Sequence, residues 1–143
     1  MKNIIFILLI NCFSFTVISC GTKSNTSESA SAESSTYSDN GTTFTVTVSS
    51  SKYYIDGILT KSLTLKKGYT YFFDSSDSTT NNHPLFIGTI STGGSYTYEY
   101  TSGVTNSRTT TETLTFIVPS DSPSTLYYNC GNHAAMGGTI TIM

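Results

Sequence analysis

The chain has 143 residues and little net charge, with seven Lys plus Arg against nine Asp plus Glu and no basic run. That length suits one ordinary domain once processed and linker segments are set aside, and the charge pattern argues against a nucleic-acid partner. Ten tyrosines, eight phenylalanines and no tryptophan, with many Thr, Gly and Ser, lean the composition toward an all-β domain.

Met1-Lys2-Asn3 followed by the largely apolar Ile4 to Ile18 reads as a charged leader and a hydrophobic stretch too short for a membrane span. It closes on Val17-Ile18-Ser19-Cys20-Gly21, which resembles a bacterial lipoprotein signal. The resemblance implies that residues 1–19, Cys12 among them, are removed and that Cys20 becomes a lipidated first residue outside the cytoplasm. An ordinary signal peptide or a retained anchor is the alternative. Several acyl chains on one residue hold a protein to a membrane where a single chain does so only marginally. With Cys12 removed and Cys20 acylated, Cys130 has no intramolecular partner. A lone thiol in an oxidising compartment calls for an occupant. Metal ligation is one, and inert burial is the other reading.

Residues 20–40 are rich in Ser, with Thr, Asn and Glu interspersed, and read as a flexible tether. The folded domain is expected over 41–143. Phe44, Val46 and Val48 alternate with Thr45 and Thr47, the period of a half-buried strand. Tyr53-Tyr54-Ile55 runs into the turn pair Asp56-Gly57. Leu63 and Leu65 form the next alternation, then Tyr69, Tyr71 and Phe73 after Lys66-Lys67-Gly68. A polar loop from Asp74 to Asn82 precedes the apolar run Pro84 to Ile90. Over 91–111 the pattern predicts a short strand at Tyr96–Tyr100 between loops. Leu114, Phe116 and Val118 make a strand that Pro119 ends. Leu126 and Tyr128 lead to Cys130, and Ile140 and Ile142 lie on the last strand. No helical stripe of useful length occurs, so short alternating strands with regular turns predict a β-sandwich or barrel.

The chemistry concentrates in Cys130-Gly131-Asn132-His133-Ala134-Ala135-Met136, a C-x2-H-x2-M spacing. A thiolate and a thioether are soft ligands and a neutral imidazole suits copper, so the trio is coherent for a copper site. The second imidazole it needs is His83, in Asn82-His83-Pro84. Alone, His83 reads as a loop histidine and Met136 as packing. Zinc competes for Cys and His, but Met is a poor zinc ligand and structural zinc sites carry more than one Cys. A c-type haem needs C-x-x-C-H, which is absent. A Cys130–His133 nucleophile and base lacks any companion acid or oxyanion feature.

These residues, with Tyr53 to Gly57, His83-Pro84-Leu85, Tyr127-Tyr128 and Met136-Gly137-Gly138, resemble the cupredoxins, the blue-copper family that includes plastocyanin and amicyanin. The resemblance covers about residues 41–143. It implies a cupredoxin-like Greek-key β-sandwich holding one type 1 copper, with Cys130, His83 and His133 in near-trigonal array and Met136 as a long axial ligand. It also implies an electron carrier rather than an enzyme: no small-molecule substrate, a monomer, and a transient redox partner protein docking at a small uncharged patch around His133. Lys61, Lys66 and Lys67 would steer an acidic partner or simply lie solvated at strand ends. A module for copper storage or delivery, or a metal-free β-sandwich interaction domain, is the alternative.

One departure from the family's pattern carries an expectation. The residue after the first His donates its backbone N–H to the thiolate in plastocyanin-like members, and here it is Pro84, which has none. Asn132 is expected to supply a backbone donor instead, and the side chain of Asn82 to tie the two ligand loops together.

Overall fold

Strand-forming sequence and turn chemistry agree along most of the domain. The computed structural model describes residues 38–143. The leader, Cys20 and the tether up to residue 37, on which the lipid-anchor reading falls, lie outside the described residues. The strands are β1 (Thr43–Ser49), β2 (Lys52–Ile55), β3 (Ile58–Leu59), β4 (Leu63–Leu65), β5 (Thr70–Asp74), β6 (Leu85–Gly88), β7 (Val104–Thr105), β8 (Thr113–Ile117), β9 (Thr125–Cys130) and β10 (Gly138–Ile142). A single 3-10 turn, Ser78–Thr80, interrupts the strand pattern. Among the described residues no helix is long and apolar enough to cross a membrane.

The strands form two sheets, one in the order β3-β2-β1-β5-β8-β7 and the other β4-β10-β9-β6. After β3, β4, β5, β6 and β8 the chain changes sheet. That repeated exchange lets β1 lie parallel to β5 and β4 parallel to β10, while the remaining pairs are antiparallel. The result is an all-β sandwich of two mixed sheets with Greek-key crossovers, as the sequence pattern led one to expect. The β2–β3 hairpin shows the local logic. Asp56 and Gly57 both take positive φ, 51° and 76°, the two-residue turn that matches strand twist.

Alternation delivers the core. Phe44 and Val46 of β1, Tyr53 and Ile55 of β2, and Tyr71 and Phe73 of β5 are buried against Leu85 and Ile87 of β6 and Leu126 and Tyr128 of β9. Burying an aliphatic or aromatic side chain of this size contributes roughly 1.5–3 kcal/mol. A buried tyrosine also needs a partner for its hydroxyl. Here each finds a backbone carbonyl: Tyr71 donates to Ser38 O at 2.9 Å, Tyr128 to Lys61 O at 2.9 Å and Tyr53 to His83 O at 2.6 Å.

Three local features differ from the sequence pattern. Tyr96–Tyr100 is not a strand. It closes a turn on itself, Glu99 N–H to Tyr96 O, and its backbone meets β6 through the isolated bridge of Gly88 with Glu99, with Tyr100 N–H on Ile87 O. Its tyrosines alternate because Tyr96 packs edge-on against Phe86, Tyr100 against Phe116, and Tyr98 stays in solvent. This segment roofs the outer face of β6, which explains why that strand is apolar at every position instead of alternating. The short β7, by contrast, has no signature in the surrounding Gly, Ser and Thr. Finally, Ser38 to Asn40, given to the tether by composition, are bonded to the domain: Ser38 N–H to Thr64 O, and Thr70 N–H to the Asn40 side chain.

Candidate metal centre

Register brings the distant histidine to the cysteine. Leu85, the first residue of β6, lies opposite Cys130, the last residue of β9. Two residues before Leu85 is His83, so the strand pairing sets its loop beside the thiol. Gly131 N–H donates to Pro84 O at 2.8 Å, carrying the contact past the strand end. His133 follows on the loop from β9 to β10. One end of the sheet thus gathers three potential ligands, two of them from the β9–β10 hairpin.

The Cys130 sulfur lies 3.6 Å from His133 Nδ1 and 3.9 Å from His83 Nδ1. The three ligand atoms all fall within 4.8 Å of one another. A first-row ion held by sulfur at about 2.3 Å and nitrogen at about 2.0 Å sets those two atoms roughly 3.5–3.7 Å apart at tetrahedral to trigonal angles, close to both separations. The donor set and its spacing therefore fit one such ion. Cys130 is fully buried and unpaired, His83 is half-buried and His133 is exposed. Burial first, and the neighbouring His133 second, lower the His83 pKa. Both effects favour the neutral imidazole, the form that ligates.

The fourth expected ligand, Met136, ends the same loop. Its side chain is buried in the core cluster that also contains Cys130, and its carbonyl accepts from Tyr53 N–H at 3.0 Å. The two asparagines do meet, with roles other than those expected. Asn132 uses its side chain, Nδ2 donating to Asn82 O at 2.8 Å. Asn82 contributes the carbonyl, turned into place by a φ of 67°. The expected Asn132 N–H to sulfur bond is absent among the described residues, where the two imidazoles and the Tyr53 hydroxyl lie against the sulfur. The reason lies one residue earlier: the amide that crosses between the loops is Gly131 N–H, and it is engaged by Pro84 O. Pro84 itself is buried. Lys61 is paired with Asp56 at 2.8 Å, so it does not stand as an isolated steering charge.

Several supporting residues escape sequence reasoning. Thr80, fully buried, sets its hydroxyl 2.6–2.7 Å from the carbonyls of Ser75, Asp77 and Thr110, and His83 N–H donates to Thr80 O at 2.8 Å. The Thr92–Gly94 segment braces the other loop, with Gly94 N–H on Cys130 O and Ala135 N–H on Thr92 O. A Cβ at Gly131 would sit 2.1 Å from the Tyr96 hydroxyl, so any side chain there would displace the Tyr96 ring. Tyr53 reads in the sequence as one more alternating aromatic, yet its hydroxyl ends on a ligand's carbonyl. The available signal is generic: a tyrosine at a core position has to find an acceptor.

Fold and cluster together define a β-sandwich with a site of one thiol and two imidazoles at one end. Solved structures similar to the chain include a rusticyanin determined as two single-residue variants, at 14% identity over 75% of this chain and 80% of that one, with a TM-score of 0.46. A rusticyanin with a histidine-to-methionine change matches at 11% identity over 75% of this chain and 81% of that one, with a TM-score of 0.42. No family model matches the chain, and no curated protein does.

Proposed function

We propose that the protein is a blue-copper electron carrier of the cupredoxin type, working outside the cytoplasm and tethered to a membrane through lipid on Cys20. The observation that carries this reading is the sulfur of Cys130 with imidazole nitrogens of His133 and His83 at 3.6 and 3.9 Å. His83, Cys130 and His133 would hold the ion, with the buried thioether of Met136 as the weak fourth ligand. Copper bound there supplies a one-electron couple.

The chain's contribution is to hold these side chains still. Ligands anchored on paired strands move little when charge changes, which keeps the barrier to electron transfer low. A buried thiolate and a dry core on one side set the potential. On the other side, the exposed Asn132, His133, Ala134 and Ala135 form a small surface without charged side chains of its own, bordered by the Lys52 ammonium on Ala135 O. Transient redox encounters bury little area, and this surface is where a partner protein would meet a monomeric carrier.

Copper titration of the purified protein tests this reading. The expected result is one Cu(II) per chain with intense visible absorption, lost in Cys130→Ser. Tight Cu(I) binding without colour would instead indicate storage or delivery. No stoichiometric uptake would leave a metal-free interaction domain. Metabolic labelling with a fatty acid, abolished in Cys20→Ala, checks the anchor.

A further inference from the structure

Tyr53 contacts both ligand-bearing segments from the opposite sheet. Its hydroxyl donates to His83 O at 2.6 Å, and its backbone N–H donates to Met136 O at 3.0 Å. Its ring is fully buried and packs 6.3 Å, centroid to centroid, from Tyr128, two residues before Cys130. Its own carbonyl accepts from Thr60 N–H, which pins the β2–β3 hairpin behind it. Burial first, and the nearby Cys130 second, hold the phenol in its protonated, donating form.

We propose that Tyr53 is a positioning residue of the metal centre: its hydroxyl fixes the His83 carbonyl, and so the angle at which the His83 ring faces the Cys130 sulfur. The inference rests on the copper reading above. It assigns to a side chain from the far sheet part of the bracing that a backbone amide cannot provide at Pro84. The geometry favours a direct hold over mere packing. The loop reaches Leu85 through Pro84, so a carbonyl fixed at residue 83 constrains the peptide plane immediately before a ring-locked residue. The peptide at 82–83 is already constrained, because His83 N–H is engaged by Thr80 O. Tyr53 thereby holds the second of the two peptide groups that flank the His83 side chain.

Tyr53→Phe in the whole protein removes the hydroxyl and keeps the ring, with Tyr54→Phe as the neighbouring control. In the metal-free variant, amide exchange at His83 and Leu85 should accelerate several-fold, with the control unchanged. With copper added, binding should weaken by about tenfold, the scale of lost support around a metal ligand. The visible band should shift and the reduction potential fall, as a loosened ligand set relaxes toward the tetragonal surroundings that Cu(II) accepts. Unchanged exchange together with unchanged spectrum and potential would overturn the proposal. If the wild-type protein takes up no copper, the copper reading fails on its own. The metal-free exchange then decides for or against the hold on His83. Should Tyr53→Phe not fold, the wild-type hydroxyl proton serves instead. A Tyr53 proton resonance protected from exchange and displaced on adding Cu(I) supports the role, and a freely exchanging, undisplaced one rules it out.

Discussion

The two loops that meet at the centre are held in opposite ways. The loop before β6, residues 75–84, is tied largely to itself. Asp77 caps its short 3-10 turn through Thr79 N–H, the Thr80 hydroxyl sits among the carbonyls of Ser75, Asp77 and Thr110, and His83 N–H returns to Thr80 O. The loop between β9 and β10 is held from outside. Its bonds run to Pro84, Thr92, Gly94, Tyr53 and the side chain of Lys52. The first loop takes its turn from its own sequence and is pinned from outside at its end, residues 82–84, by Asn132, Tyr53 and Gly131. The second is shaped by what surrounds it. A histidine far from the cysteine in sequence needs an independently rigid mount, whereas His133 is already attached to the strand that carries the thiol.

The largest expected effect comes from breaking the self-tied loop. Thr80→Val preserves the side chain's shape and deletes the hydroxyl, whose one proton the surrounding carbonyls share, leaving the buried Ser75 carbonyl without a donor. An unsatisfied buried group costs about 1–3 kcal/mol, so the denaturant midpoint should fall by that equivalent. Copper affinity should fall with it, because His83 N–H depends on the same residue's carbonyl. A stable variant with unchanged affinity would show that the loop is shaped from outside after all.

The contrast also explains what the sequence could reveal. Strands with one buried face announce themselves, as Phe44-Thr45-Val46 and Leu114-Thr115-Phe116 do, since alternation is the direct imprint of a half-buried sheet. The residues that gather at the centre were legible from donor chemistry, because thiol, imidazole and thioether within seven positions make a rare combination. The braces were not legible. Thr80, Gly94 and Tyr53 act through single hydrogen bonds on particular carbonyls and amides, and no periodicity records that. Tyr96–Tyr100 misled for a related reason. Its alternation reflects packing on Phe86 and Phe116 from a loop, a pattern that a sequence cannot tell from a strand. The tie between Asn82 and Asn132 was foreseen as a pair but not in its direction, because either amide can donate and only the backbone turn at Asn82 decides which.

A smaller effect is expected from that tie. The Asn132 side chain is exposed and its bond to Asn82 O is a single neutral one, worth roughly 0.5–1.5 kcal/mol at most. Asn132→Ala should leave the melting point nearly unchanged while weakening copper binding several-fold, since the bond links the two loops and neither strand. A large loss of stability would mean that the outer loop contributes to the fold as a whole.

The smallest effect is a pH dependence at His83. Burial and the proximity of His133 lower the His83 pKa below its ordinary 6.5. In the metal-free protein the unfolded chain then binds a proton at His83 more readily than the folded one. Unfolding therefore takes up a proton between the folded and unfolded pKa values, and stability rises with pH through that window toward 6.5. Below the folded pKa both states are protonated and the slope at this residue vanishes. His83→Gln should flatten that part of the stability profile. A variant with the same slope would place the titrating group elsewhere. Flattening would show that the half-buried imidazole is kept neutral by its surroundings before any ion arrives, which is the condition a self-tied mount provides.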